Sequence, residues 1–164
     1  MINMSEKDLE FSRFFTVEEA NAALPLVKAI CQDLSTLSRE LVDRRERLAL
    51  LLTGRDEGRD DMYRQELTQI EEELERDSDR IEAFVQELRD LGLEPKNALE
   101  GLVDFPSKMD DRTVLLCWKL NEPEVLYWHE LEDGFQGRQP LVVSSGPAKQ
   151  GGPLDQGGGA GESI

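Results

Sequence analysis

A chain of 164 residues is one domain's worth, and 38% hydrophobic content supports a modest core rather than a thick globule of that length. The 35 acidic residues outweigh 19 basic ones, and the formal charge of -16 repels nucleic-acid phosphates and anionic membrane surfaces alike. No stretch approaches the ~18 apolar residues of a membrane span, and Met1 to Lys7 lacks the basic and apolar runs of a signal peptide, so a cytoplasmic protein is expected. Cys31 and Cys117 stand far apart without a CxxC partner, which supports neither a disulfide framework nor a cysteine zinc site. Both are expected as reduced, buried thiols.

Residues 1–13 read as a flexible N-terminus. The first helix opens at Thr16, where Thr16-Val17-Glu18-Glu19 matches a capping box and Phe15 supplies the hydrophobic staple. Apolar or small residues then recur at helical spacing through Val17, Ala20, Leu24, Val27, Cys31, Leu34, Ser38 and Leu41, and the stripe continues through Arg45, Leu48 and Leu52. Pro25 lies inside this pattern and predicts a kink or break. The polar, glycine-containing stretch from Thr53 to Asp60 predicts the connection to an antiparallel second helix. That helix repeats the stripe at Leu67, Ile70, Leu74, Asp77, Ile81, Phe84, Leu88 and Leu91, and Gly92 with Pro95 beyond it marks its end. Ser38, Arg45 and Asp77 are the polar positions of the seam, suited to fixing register or partner choice.

Beyond Pro95 the period becomes extended. Strands are expected over Gly101 to Pro106, Thr113 to Leu120 and Val125 to Leu131, joined by short links, with Gly134 to Leu141 as a glycine-punctuated loop. The predicted architecture is α+β: a long, coiled-coil-like antiparallel two-helix hairpin over residues 16–92, followed by a small three-stranded antiparallel β-meander within a β-module spanning 100–141. Two hairpins alone are marginal, so Phe14 to Leu26 or Pro95 to Leu99 is expected to cover one face of the meander. Residues 14–141 form the single domain. The glycine-rich tract 142–164 reads as a disordered tail.

Phe14-Phe15-Thr16-Val17-Glu18-Glu19-Ala20-Asn21, Gly101-Leu102-Val103-Asp104-Phe105-Pro106, Leu116-Cys117-Trp118-Lys119-Leu120, and Trp128-His129-Glu130-Leu131 through Gly134-Phe135-Gln136-Gly137-Arg138 occur in this order. Together these blocks resemble the bacterial domain-of-unknown-function 2203 family over residues 14–141. The resemblance implies no activity, ligand or cofactor for any position.

The chemistry-bearing residues concentrate in the β-module. His129 is the single histidine, and strand alternation places it with Val125, Tyr127 and Leu131, opposite Trp128 and Glu130. With Asp104, Glu124 or Glu132 reached across strands it would make a carboxylate-rich metal or acid/base site, so His129, Glu130 and Asp104 are the catalytic candidates and His129 and Asp104 the metal candidates. The alternative is a histidine that caps a sheet edge by hydrogen bonds. Ser107, Ser144 and Cys117 lack the context of a nucleophile. Gly134-Phe135-Gln136-Gly137-Arg138 offers glycine-freed amides and a guanidinium fork, which makes Gly137 and Arg138 ligand candidates. Its structural alternative has Phe135 in the core and Arg138 paired with Asp104 or Glu130. Trp118 and Trp128 are either a stacking wall for a ligand or a small core.

Two functions follow as expectations. A noncatalytic interaction or scaffold module acts through the helical hairpin as a homodimer, the apolar flanks Ile30, Leu37 and Leu51 favouring a four-helix arrangement; its acidic faces also suit a basic protein partner. The alternative is a small-ligand or metal-binding protein, or an enzyme, with its site on the β-module. The pattern names no cofactor.

Overall fold

The computed structural model describes residues 11–53 and 61–141. The expected flexible segment up to residue 10, the interhelical connection at 54–60 and the tail from 142 onward lie outside the described residues.

Helix α1 spans Val17–Thr53. Its start is fixed reciprocally: the Glu19 amide donates to Thr16 Oγ1 at 3.0 Å, and the Thr16 amide donates to Glu19 Oε1 at 2.9 Å. Of the kink or break expected at Pro25, the break is absent, and the helix continues through it. Proline removes one backbone donor. Here the ring lies on the exposed side, while buried Leu24 and Val27 on either side of it bind the helix to the core.

Helix α2 spans Asp61–Asp90 and packs antiparallel on α1. It ends at Gly92, whose φ of 98° is left-handed. The Leu93 amide donates to the Leu88 carbonyl at 3.0 Å and the Gly92 amide to the Arg89 carbonyl at 2.9 Å, the paired bonds of a Schellman cap. Leu88 and Leu93, which flank this cap, are both fully buried. Within the hairpin it is Arg44, not the expected Arg45, that turns toward the polar seam. Arg44 forms an ion pair with buried Asp77 and another with Glu73 at 3.1 Å, whereas Arg45 is exposed.

Five strands replace the expected three. They are β1 (Glu94–Asn97), β2 (Leu102–Met109), β3 (Arg112–Lys119), β4 (Tyr127–Glu130) and β5 (Gln139–Pro140), paired in chain order as one antiparallel sheet. Glu94-Pro95-Lys96-Asn97 carries no apolar alternation because it is an edge strand held through its main chain. Its register slips between Pro95 and Asn97. Thus the segment expected to cover the meander is in part its first strand. Strands β2 and β3 extend to Met109 and Arg112 around Asp110 and Asp111, both at positive φ (53° and 66°), as a two-residue hairpin turn requires.

The sheet's inner face packs on the helices. Phe15, Leu24, Val27, Cys31 and Leu88 meet Val103, Phe105, Leu116 and Trp118 in one core, with Phe15 and Phe105 edge to face at 5.1 Å. Main chain ties the layers together: the Phe15 amide donates to the Pro106 carbonyl at 2.7 Å, and the Val125 amide donates to Asn21 Oδ1 at 2.7 Å. The N-terminal part of α1 therefore covers the sheet, as the sequence predicts.

Candidate functional site

The opposite, outer face of the sheet carries the chemistry. Strands β2, β3 and β4 contribute Asp104, Cys117 and His129 in turn. Asp104 stands directly opposite Cys117 in register. His129 stands opposite Leu115, one step along the same face, and is therefore Cys117's diagonal neighbour. None of the three is more than 2% exposed.

His129 Nε2 lies 3.1 Å from Asp104 Oδ2, and Nδ1 lies 2.8 Å from the carbonyl oxygen of Glu130. A carbonyl only accepts, so Nδ1 carries hydrogen and donates to it. Nε2, when it carries hydrogen, donates to the Asp104 carboxylate. The hydrogen bond to Asp104 holds the His129 pKa above its ordinary 6.5, against the opposing pull of burial and of the Lys96 charge.

Cys117 is disarmed as a nucleophile. Burial, reinforced by the Asp104 charge, pushes its pKa up to about 12. Its neighbour Asp104 also favours the thiol over the thiolate through a side-chain hydrogen bond. The remaining carboxylate oxygen, Asp104 Oδ1, is buried and has no hydrogen-bond partner among the described residues. Asp104, Cys117 and His129 line a cavity of about 300 Å³ together with Lys96, Leu115, Leu131, Glu132, Asp133 and Phe135.

The segment after β4, expected as a loop, makes a single 3₁₀ turn at Phe135–Gly137 before β5. Arg138 fixes it. A terminal guanidinium nitrogen donates to both carboxylate oxygens of Glu122 at 2.8 Å, and the guanidinium lies 4.0 Å from the Tyr127 ring centre and 4.5 Å from that of Phe135. Arg138 thus pairs with Glu122 rather than with Asp104 or Glu130, through one terminal nitrogen, while its buried Nε has no hydrogen-bond partner among the described residues. The Gly137 amide donates to the Gly134 carbonyl at 2.9 Å, inside the turn. A Cβ at Gly137 would sit 2.7 Å from the Asp133 Cβ, so glycine is there for the close approach.

Of the sequence candidates, Asp104 and His129 meet. Glu130 contributes only its carbonyl, for its carboxylate is on the other side and pairs with Arg112 at 2.8 Å. Trp118 is wholly buried in the helix-sheet core and donates from Nε1 to the Glu122 carbonyl at 3.0 Å; Trp128 packs against the same core. Neither forms a wall for the cavity. His129 shares its face with Tyr127 as expected, whereas Val125 precedes the strand and turns inward to the core. Cys117 is the member of the cluster that sequence reasoning missed. The signal was the Asp110-Asp111 turn, because strands paired about that point place Asp104 against Cys117.

A family model described as "Uncharacterized conserved protein (DUF2203)" matches residues 13–141. The chain belongs to this family. No curated protein and no solved structure matches it. The family match spans both helices and the whole sheet, so the Asp104–His129 pair lies within the family domain. Among the described residues no helix is long and apolar enough to cross a membrane.

Proposed function

We propose that this is a cytoplasmic binding protein whose site is the outer face of the sheet, centred on Asp104 and His129. The observation that carries the reading is their convergence at 3.1 Å beside a cavity, with Asp104 Oδ1 buried and without a hydrogen-bond partner among the described residues. A buried polar atom without a partner carries a desolvation cost of ~1–3 kcal/mol that a bound ligand would relieve. The test is native mass spectrometry on protein purified without chelator. A stoichiometric adduct, retained by wild type and lost on Asp104→Asn, is expected. A bare mass for both proteins would overturn the reading.

A second reading, an interaction module built on the hairpin, is favoured by the distal half of the rod. Helix α1 has 37 residues, about 55 Å at the usual rise, yet its last buried residue is Leu41. Beyond that point Leu50 and Leu52 are 72% and 49% exposed, as is Met62 across the hairpin at 76%. This end is tied by Arg47 to Glu66 at 2.6 Å and by Tyr63 Oη donating to the Leu51 carbonyl at 2.9 Å, with Ile70 buried in the seam. A second copy laid against it would complete a four-helix arrangement. Analytical ultracentrifugation should find a dimer at micromolar concentration that Leu50→Glu with Met62→Glu dissociates. A wild-type monomer would sink the homodimer. Salt-sensitive capture of a basic partner by the acidic faces of α2 would redirect the interaction reading to a different occupant.

A further inference from the structure

Three donor atoms of three chemical kinds meet on the outer face of the sheet: the carboxylate of Asp104, the Cys117 sulfur and an imidazole nitrogen of His129, all within 4.8 Å of one another. We infer that they hold a divalent transition-metal ion of the zinc class, with Cys117 as the third ligand beside the two residues on which the binding reading rests. Tetrahedral coordination at ordinary zinc bond lengths separates neighbouring donors by roughly 3.3–3.7 Å. The Nε2 to Oδ2 separation of 3.1 Å is close to that edge, and the sulfur, within 4.8 Å of both, must draw in toward the ion.

The surroundings are those of a ligand set. A metal-bound histidine characteristically donates its other ring N–H to a carbonyl or carboxylate, which fixes the tautomer and aims the free nitrogen at the ion. The Nδ1 bond to the Glu130 carbonyl does this for His129. Asp104 Oδ1, without a hydrogen-bond partner among the described residues, is available as a further oxygen donor. All three side chains come from paired strands of one sheet, so their separation is set by main-chain register rather than by a mobile loop.

Charge balances at the filled site: the ion's two positive charges meet one thiolate, one carboxylate and a neutral imidazole, and binding releases whatever protons these ligands carried. The mixed sulfur, nitrogen and oxygen set suits zinc and its neighbours and does not suit magnesium or calcium, which take oxygen donors in larger number. Three protein ligands leave a fourth tetrahedral position, as in zinc sites that bind water or substrate. The adjoining cavity of about 300 Å³ is where an exogenous ligand would sit.

Cobalt(II) is the probe, added to the full chain after chelator treatment and thiol reduction, with zinc(II) as competitor. One cobalt per chain is expected, with a thiolate-to-cobalt charge-transfer band that zinc abolishes and Cys117→Ser lacks. His129→Gln and Asp104→Asn should weaken zinc binding by more than the ~10–100-fold that loss of a supporting outer-shell partner costs. Circular dichroism confirms that each variant is folded, and the charge-transfer band on wild type needs no variant at all. Absence of the band, or binding that the three substitutions leave unchanged, overturns the metal assignment. Native mass spectrometry separates the two failures: an organic adduct that depends on Asp104 would refute the metal while sustaining the binding site, whereas a bare protein that also ignores cobalt removes both.

Discussion

Asp104→Ala is expected to destabilise the chelator-treated protein by ~3–5 kcal/mol, the cost of removing one partner of a buried pair. The substitution leaves His129 in a site 2% exposed and deprives Nε2 of its carboxyl partner. Asp104→Asn should cost less, about 1–2 kcal/mol, because an amide N–H can donate to bare Nε2 while Nδ1 keeps its bond to the Glu130 carbonyl. The pH dependence has a definite sign. The folded pKa of His129 lies above its ordinary 6.5, so the stabilisation from pairing is fully present below 6.5 and is lost as pH rises through the folded value. Urea unfolding of wild type and Asp104→Asn across this range should give curves that converge toward alkaline pH. Curves that diverge there, or a cost below ~1 kcal/mol for Asp104→Ala, would show that the two groups do not stabilise each other.

Trp118→Ala should cost a comparable ~3–5 kcal/mol for a different reason, the cavity left by a large core side chain. Trp118 is wholly buried between Val103 on the neighbouring strand and the helices, and its Nε1 is satisfied by the Glu122 carbonyl. Trp118→Phe keeps most of the packing and loses that hydrogen bond, so about 1–2 kcal/mol is expected by denaturant titration. Neither the adduct nor the cobalt band should depend on this ring, which lies on the helix side of β3. A folded Trp118→Phe protein that no longer retains a ligand would return Trp118 to the binding surface.

The features most legible in the sequence were those whose causes are local. The reciprocal cap at Thr16 and Glu19 and the glycine stop at Gly92 depend on residues within a single turn, and both form where the spacing places them. Helical periodicity likewise exposed the seam from Ala20 to Leu41, although it selected Arg45 where Arg44 is the inward residue. Strands β1 and β5 were illegible because Glu94–Asn97 and Gln139–Pro140 pair through their main chains, without an apolar alternation to announce them.

The site was half legible for a related reason. Asp104 and His129 stood out as isolated polar residues among apolar strand residues. Cys117 is hidden in Val114-Leu115-Leu116-Cys117-Trp118, a run buried on both faces, where alternation cannot distinguish the core from a covered outer surface. Arg138 was misassigned because its partner, Glu122, sits in the turn between β3 and β4, and side-chain reach across turns is not written in strand periodicity.

The sheet acts as a partition. Helices occupy one side and the Asp104–Cys117–His129 cluster the other, so a protein docked along the rod and a ligand held beside residues 131–135 would not compete for space. Any influence of one on the other must cross the thickness of a single strand, and on β3 the neighbours Cys117 and Trp118 stand back to back at that crossing. Linkage makes the crossing symmetric: if filling the outer face changes hairpin association by some factor, association changes ligand affinity by the same factor. Dimer dissociation constants measured with and without zinc would give that factor directly, and equal values would mean that the two faces work independently.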